Sequence, residues 1–168
     1  MPKYILKKFN SGLTLIETLV AISILLMAVV GPMTIYSNSI SSARYSGNKT
    51  IAYYLAQEGI ELVKYKINTE FNSGSGWFSS LPDCIAGNCT VSVSNDTVCV
   101  GCDTKLYIGA NNLYTHTSSG ATPTNFSRTV KFAGSPPESG ALVSSTVTWV
   151  TPGGNKSVTV EEYMTKWR

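Results

Sequence analysis

The feature that most constrains this chain is an apolar run of 24 residues, Leu13 to Tyr36, that contains a single charge, Glu17. As a helix the run would be roughly 36 Å long at about 1.5 Å per residue. A bilayer's hydrocarbon core is about 30 Å thick, so the run is long enough to cross it with some tilt. Lys3, Lys7 and Lys8 precede it with no acid among them, and they account for the whole formal net charge of +3. Basic residues stay on the cytoplasmic side, which predicts an N-terminus inside and everything after Tyr36 outside. With the excess charge confined to the tip, no basic face is left for a nucleic acid, which is not expected as a direct ligand.

Three simple explanations of the run compete. A secretory signal peptide would have a shorter apolar stretch, no carboxylate inside it, and a small-residue cleavage site after it. A core helix of a soluble protein would show a polar side over this length. A plain single-pass anchor explains the length and the lysines but not the acid five residues into the run. A charge in hydrocarbon costs at least about 2.5 kcal/mol, and such residues usually have a partner and a function. A cut between Gly12 and Leu13 would supply the partner. The new α-amino group would lie one helical turn from the Glu17 carboxylate, on the same chain or on a neighbour, and pairing would neutralise both.

A short basic leader ending in Gly12, then Leu13-Thr14-Leu15-Ile16-Glu17 and an apolar helix, resembles the prepilin-type cleavage and methylation motif of type IV pilins and the pseudopilins of secretion and competence systems. The resemblance covers about the first fifth of the chain. It implies that Gly12 ends the leader, that Leu13 becomes an N-methylated N-terminus, and that Glu17 is the assembly carboxylate. Leu13 stands where Phe or Met is commoner. The implied partners are a prepilin peptidase, other pilin subunits and the membrane. The implied role is structural, a subunit (of the minor kind) of a pilus or pseudopilus moved by a cytoplasmic ATPase, with no enzymatic activity and no cofactor. The alternative is an adhesin or receptor module held by the same anchor at a filament tip or cell surface. The resemblance also makes Gly31-Pro32 the place where the anchor helix breaks. Pro32 has no N–H for the Ala28 carbonyl and its ring crowds that turn.

After a polar stretch from Ser37 to Asn48, Thr50 to Phe71 reads as an amphipathic helix. Ala52, Leu55, Gly59, Leu62 and Val63 form one stripe, Gln57, Glu61, Lys64 and Asn68 face elsewhere, and Glu61 and Lys64 are spaced to pair. Asn72 to Gly76 ends it. Short strands follow: Val91 and Val93 alternating with Ser, then Lys105–Gly109, Ser127–Phe132, Ala141–Val150 and Ser157–Trp167. The last two should form a hairpin across Thr151-Pro152-Gly153-Gly154-Asn155. Val143, Val147 and Trp149 share one face of the first, and Val158, Val160 and Met164 one face of the second. Thr117–Asn125 and Ser135-Pro136-Pro137 read as exposed connections. The expected fold is α+β: a leader (1–12), a transmembrane helix (13–36), its amphipathic continuation (37–71) packed on an antiparallel sheet, and a β-rich head (72–168) with a disulfide-stapled loop.

Cys84, Cys89, Cys99 and Cys102 read as two disulfides in an exported region. A zinc site, suggested by the C-x2-C spacing of the second pair, and free or redox-active thiols are the alternatives. Three pairings are possible. A hairpin turning near Asn95-Asp96 would bring Cys89 opposite Cys99 or Cys102, which favours a cross-strand bond. No metal site is expected. His116, in a Ser/Thr-rich segment, reads as a solvated loop residue, and Glu58, Glu61 and Glu70 as solvated helix charges. Asp96 and Asp103 match no calcium loop and read as turn residues. The Tyr and Trp residues read as core and interface filler.

Overall fold

The computed structural model describes residues 12, 14–74, 84, 87–92, 98–133 and 140–165. The leader apart from Gly12, Leu13, Val93, Asn95-Asp96, Ser135-Pro136-Pro137 and Trp167 lie outside the described residues. The fold is α+β. Among the described residues, one helix, α1 (Leu15–Asn72), is followed by seven strands: β1 (Cys89–Val91), β2 (Val98–Val100), β3 (Lys105–Ile108), β4 (Tyr114–Thr115), β5 (Thr122–Ala133), β6 (Ala141–Thr151) and β7 (Gly154–Met164). The chain divides into two compact units, with the boundary between Arg44 and Tyr45. Helical structure continues through Pro32 and through the polar stretch from Ser37 to Asn48.

In the first unit, every side chain from Leu15 to Ser39 is exposed. An 18-residue window there reaches a mean hydropathy of 2.3 with none of it buried. It is an apolar helix without protein cover, compatible with a single membrane span by length and composition.

In the second unit, α1 buries Ala52, Leu55, Ala56, Gly59, Ile60, Val63 and Ile67, at spacings of three and four, against an antiparallel sheet. Leu62 is half-buried at the rim of this stripe. Toward its N-terminal end the stripe meets Leu106, Phe126, Val147 and Trp149. Further along, Ile60, Val63 and Ile67 meet Val91, Val130, Phe132 and Val143. Each fully buried aliphatic or aromatic side chain contributes about 1.5–3 kcal/mol. Gly59 lets the helix come close, because a Cβ there would strike the Ser145 hydroxyl and sit 3.1 Å from Cδ of Arg128. Lys64 adds a surface link, 3.0 Å from Glu61 and 2.8 Å from Glu162 on β7.

Strand β5 is the hub of the sheet. It pairs along one edge with β6 from Phe126↔Trp149 to Ala133↔Leu142. The other edge takes β1 at Val130 and β3 between Thr122 and Ser127. That second edge explains why β5 begins at Thr122, inside the segment expected to be a connection. Thr122 and Pro123 pair with Ile108 and Tyr107, and Thr124 Oγ1 donates to the Leu106 carbonyl at 2.6 Å. Strands β6 and β7 form the expected hairpin, in register from Ala141↔Met164 to Thr151↔Gly154. The turn closes on Gly154 at φ +101°, a conformation that side-chain-bearing residues avoid.

The cysteines form two disulfides, Cys84–Cys89 and Cys99–Cys102. The hairpin of β1 and β2 exists, but the expected cross-strand bond does not: Cys102 lies beyond the end of β2, past the turn at Gly101, and for Cys99 the register supplies the reason. Cys89 stands opposite Val100 while Cys99 stands opposite Thr90. The two cysteines therefore occupy alternate positions whose side chains project from opposite faces of the ribbon.

Candidate functional site

The first turn of α1 is organised by Thr14. Its Oγ1 accepts from the Glu17 N–H at 3.3 Å, and its carbonyl accepts from the Thr18 N–H at 3.2 Å. Thr14 is thus the helix N-cap, and Glu17 occupies the third helical position, the T-x-x-E spacing of a capping box. A carboxylate here also faces the positive end of the helix dipole. The hydroxyls along the apolar stretch are satisfied within the helix. Thr18, Ser23 and Thr34 donate to the carbonyls of Leu15, Val20 and Gly31, each at 2.8 Å. Bonded this way, they need no water and can sit in hydrocarbon. Glu17 is left as the one charged side chain between Thr14 and Tyr36. Gly12 has open space around its Cα, with nothing within 4 Å of where a Cβ would stand.

The second cluster lies in the head and has no counterpart among the expectations from the sequence. Strand β5 alternates Phe126, Arg128, Val130 and Phe132 toward the helix, so Arg128 is carried into the core and is fully buried. Its Nη1 donates to the Leu55 carbonyl and to the Glu58 carboxylate, both at 3.1 Å, and its Nη2 donates to the Val91 carbonyl at 3.0 Å. One guanidinium therefore ties α1, β1 and β5 together. Burial lowers its pKa and the neighbouring Glu58 opposes that. Glu58 is accordingly a partner and not a free surface charge. Glu58 is half-buried, while Glu70 is buried, with Lys66 3.9 Å away. Both glutamates correct the expectation of solvated helix acids, since the helix turns them toward the sheet. The signal that could have flagged Arg128 was its parity, an arginine at an inward position of an alternating strand.

His116 also departs from expectation. It follows β4, which pairs with β3, so the ring lies against the sheet edge and its Nδ1 is 3.1 Å from the Lys105 carbonyl. Its Nε2 is buried without a hydrogen-bond partner among the described residues. Burial first, and then the charge of Arg128, push its pKa down to about 4 from an ordinary 6.5. Nearby Asp103 behaves as a turn residue, accepting from the Lys105 N–H at 3.0 Å and from the Tyr107 hydroxyl at 3.1 Å. Those two hydrogen bonds, the backbone one foremost, hold its pKa below the usual carboxylate value.

Among the described residues, no three His, Cys, Asp or Glu side chains come together as a metal site. A surface depression of about 580 Å³ between Gly109 and Ala121 is lined by residues such as Leu113, Tyr114 and Thr115 and by no charged side chain. No protein-family model matches the chain, no curated protein matches its sequence, and no solved structure matches its fold.

Proposed function

We propose that this chain is a filament subunit of the type IV pilin-like class, inserted in the membrane by the first part of α1 and assembled through it. The observation that carries the reading is the uncovered apolar helix with Glu17 as its one charge, in the first turn and just beyond Gly12. Such a helix needs either lipid or other helices around it. Cleavage after Gly12 would free an α-amino group on Leu13, immediately before the Thr14 cap. In the membrane this cation would offset Glu17 of its own chain. In the filament it would pair with Glu17 of a neighbour as the helices bundle. The heads, built on the β5–β6–β7 sheet, would form the outside. The processing enzyme would be a prepilin peptidase on the cytoplasmic side, where Lys3, Lys7 and Lys8 would remain.

The capping geometry offers a second explanation of the acid, and a single substitution separates the two. Glutamine serves at the third position of a capping box but carries no charge. Under the filament reading, Glu17→Gln is cleaved and membrane-resident yet missing from filaments, because a neighbour's buried ammonium is left unpaired at about 3–5 kcal/mol. The experiment fractionates wild type and variant into membranes and sheared filaments, with mass spectrometry of the mature N-terminus. Glu17→Gln in filaments at the wild-type level would assign Glu17 to the cap alone. A mature protein that does not begin at Leu13 would reject the processing step.

A further inference from the structure

The two disulfides sit in opposite surroundings. Cys84 and Cys89 are 1% and 0% exposed, packed in the core with Val130 and Val143. Cys99 is half-buried on β2, which pairs only with β1 among the described strands, and Cys102 is exposed just beyond it. The second bond closes the four-residue loop Cys99-Val100-Gly101-Cys102, in which Gly101 turns at φ +70°. That loop is held by contacts independent of the sulfurs. Cys99 pairs with Thr90 in the ladder, and the Gly101 N–H donates to the Asn88 carbonyl at 3.2 Å.

We infer that Cys99–Cys102 is a thiol–disulfide exchange site that takes dithiols as substrates, while Cys84–Cys89 is a fixed staple. Exchange requires a thiolate to reach one sulfur, so access decides which bond reacts, and exposed disulfides are the labile ones. The exposed residue, Cys102, is the one attacked. The incoming thiolate bonds to its Sγ, the Cys99–Cys102 bond breaks, and the electron pair leaves on Cys99 Sγ, which takes a proton from water. The second thiolate of the dithiol then attacks its own partner sulfur and expels Cys102. The dithiol ends as a disulfide and the protein gains two thiols, a two-electron transfer that balances without another reactant. The ladder and the Gly101–Asn88 bond remain, so the two thiols stay close enough for the reverse reaction. Asp103, beside Cys102, is negatively charged at neutral pH and disfavours dithiols that carry further negative groups. The inference does not depend on the filament reading.

The test uses the full chain in detergent micelles at neutral pH. It is exposed to low dithiothreitol, quenched with iodoacetamide at intervals, and mapped by peptide mass spectrometry. Cys99 and Cys102 should be alkylated together, at least about tenfold faster than Cys84 and Cys89, which open only with the core. The circular dichroism spectrum should not change as the first pair reacts. Both pairs opening together, Cys84–Cys89 opening first, or no labelling before unfolding would each overturn the inference. Cys99→Ser and Cys102→Ser then locate the attacked sulfur. The thiol left at Cys102 should form a mixed disulfide with an uncharged aromatic disulfide faster than the one left at Cys99, and the reverse order would refute attack at Cys102.

Discussion

Replacing Glu58 by alanine should damage the head more than replacing Arg128 by methionine, although Arg128 makes more of the bonds. The reason is what each substitution leaves behind. Without Glu58, the guanidinium keeps the carbonyls of Leu55 and Val91 but loses its counter-charge, and its side chain, 1% exposed, cannot turn to water. An uncompensated buried charge costs about 3–5 kcal/mol. Without Arg128, the Glu58 side chain is 34% exposed and can hydrate, and the main loss is the donor to Val91. That loss is about 1–3 kcal/mol, against which the guanidinium no longer has to be desolvated. Methionine keeps most of the volume and the apolar stem packing. The double variant should be about as stable as Arg128→Met alone, giving a coupling equal to the cost of Glu58→Ala, about 3–5 kcal/mol. The assay is urea unfolding of the full chain in detergent micelles, followed by the near-ultraviolet dichroism of buried Trp149. The reasoning is refuted if Glu58→Ala costs no more than Arg128→Met, or if adding Arg128→Met to Glu58→Ala restores nothing.

Two further outcomes follow from the same packing. His116 binds its proton less readily folded (about 4) than unfolded (about 6.5), so the unfolded chain holds more protons between those values and stability falls as pH drops through that window. Allowing for partial solvent screening, the loss by pH 4 is about 2 kcal/mol, and His116→Gln should flatten that part of a pH–stability curve. Gly59→Ala should lower stability by about 1–3 kcal/mol in urea unfolding, because the added methyl meets Ser145 and Arg128 from the next layer; an unchanged midpoint would show that the helix can shift away.

What the sequence made legible follows from how local each signal is. The helix stripe, the β6–β7 hairpin and the Lys64–Glu61 pair depend on spacing within one element or across one turn, and periodicity reports these directly. Whether Cys89 could pair with Cys99 depended on which face of a two-strand ribbon each takes. A one-residue change of register reverses that, and the sequence does not print register. Glu58, Glu70 and His116 read as solvated in the sequence because a polar residue's type says nothing of what packs over it. Glu58, half-buried, became an ion-pair partner only because Arg128, on a strand far along the chain, points inward opposite it. Thr14 belongs to the motif and also caps the helix, a role that its T-x-x-E spacing with Glu17 encodes.

The contact between Leu55 and Arg128 joins residues 73 positions apart. At synthesis rates of about 5–20 residues per second, the helix exists for about 4–15 s before the strand that covers it has been made. During that interval the stripe from Ala52 to Ile67 is finished and uncovered. Loop closure over such distances is the slow part of assembling a β-rich domain. The order of translation therefore gives the head a delayed, nearly all-at-once closure. Strand β5 arrives carrying the arginine, and β6 follows with Val143, Val147 and Trp149. Until then the growing chain is a helix with one wet apolar side, the state in which it is most open to capture by a chaperone or by another helix like itself.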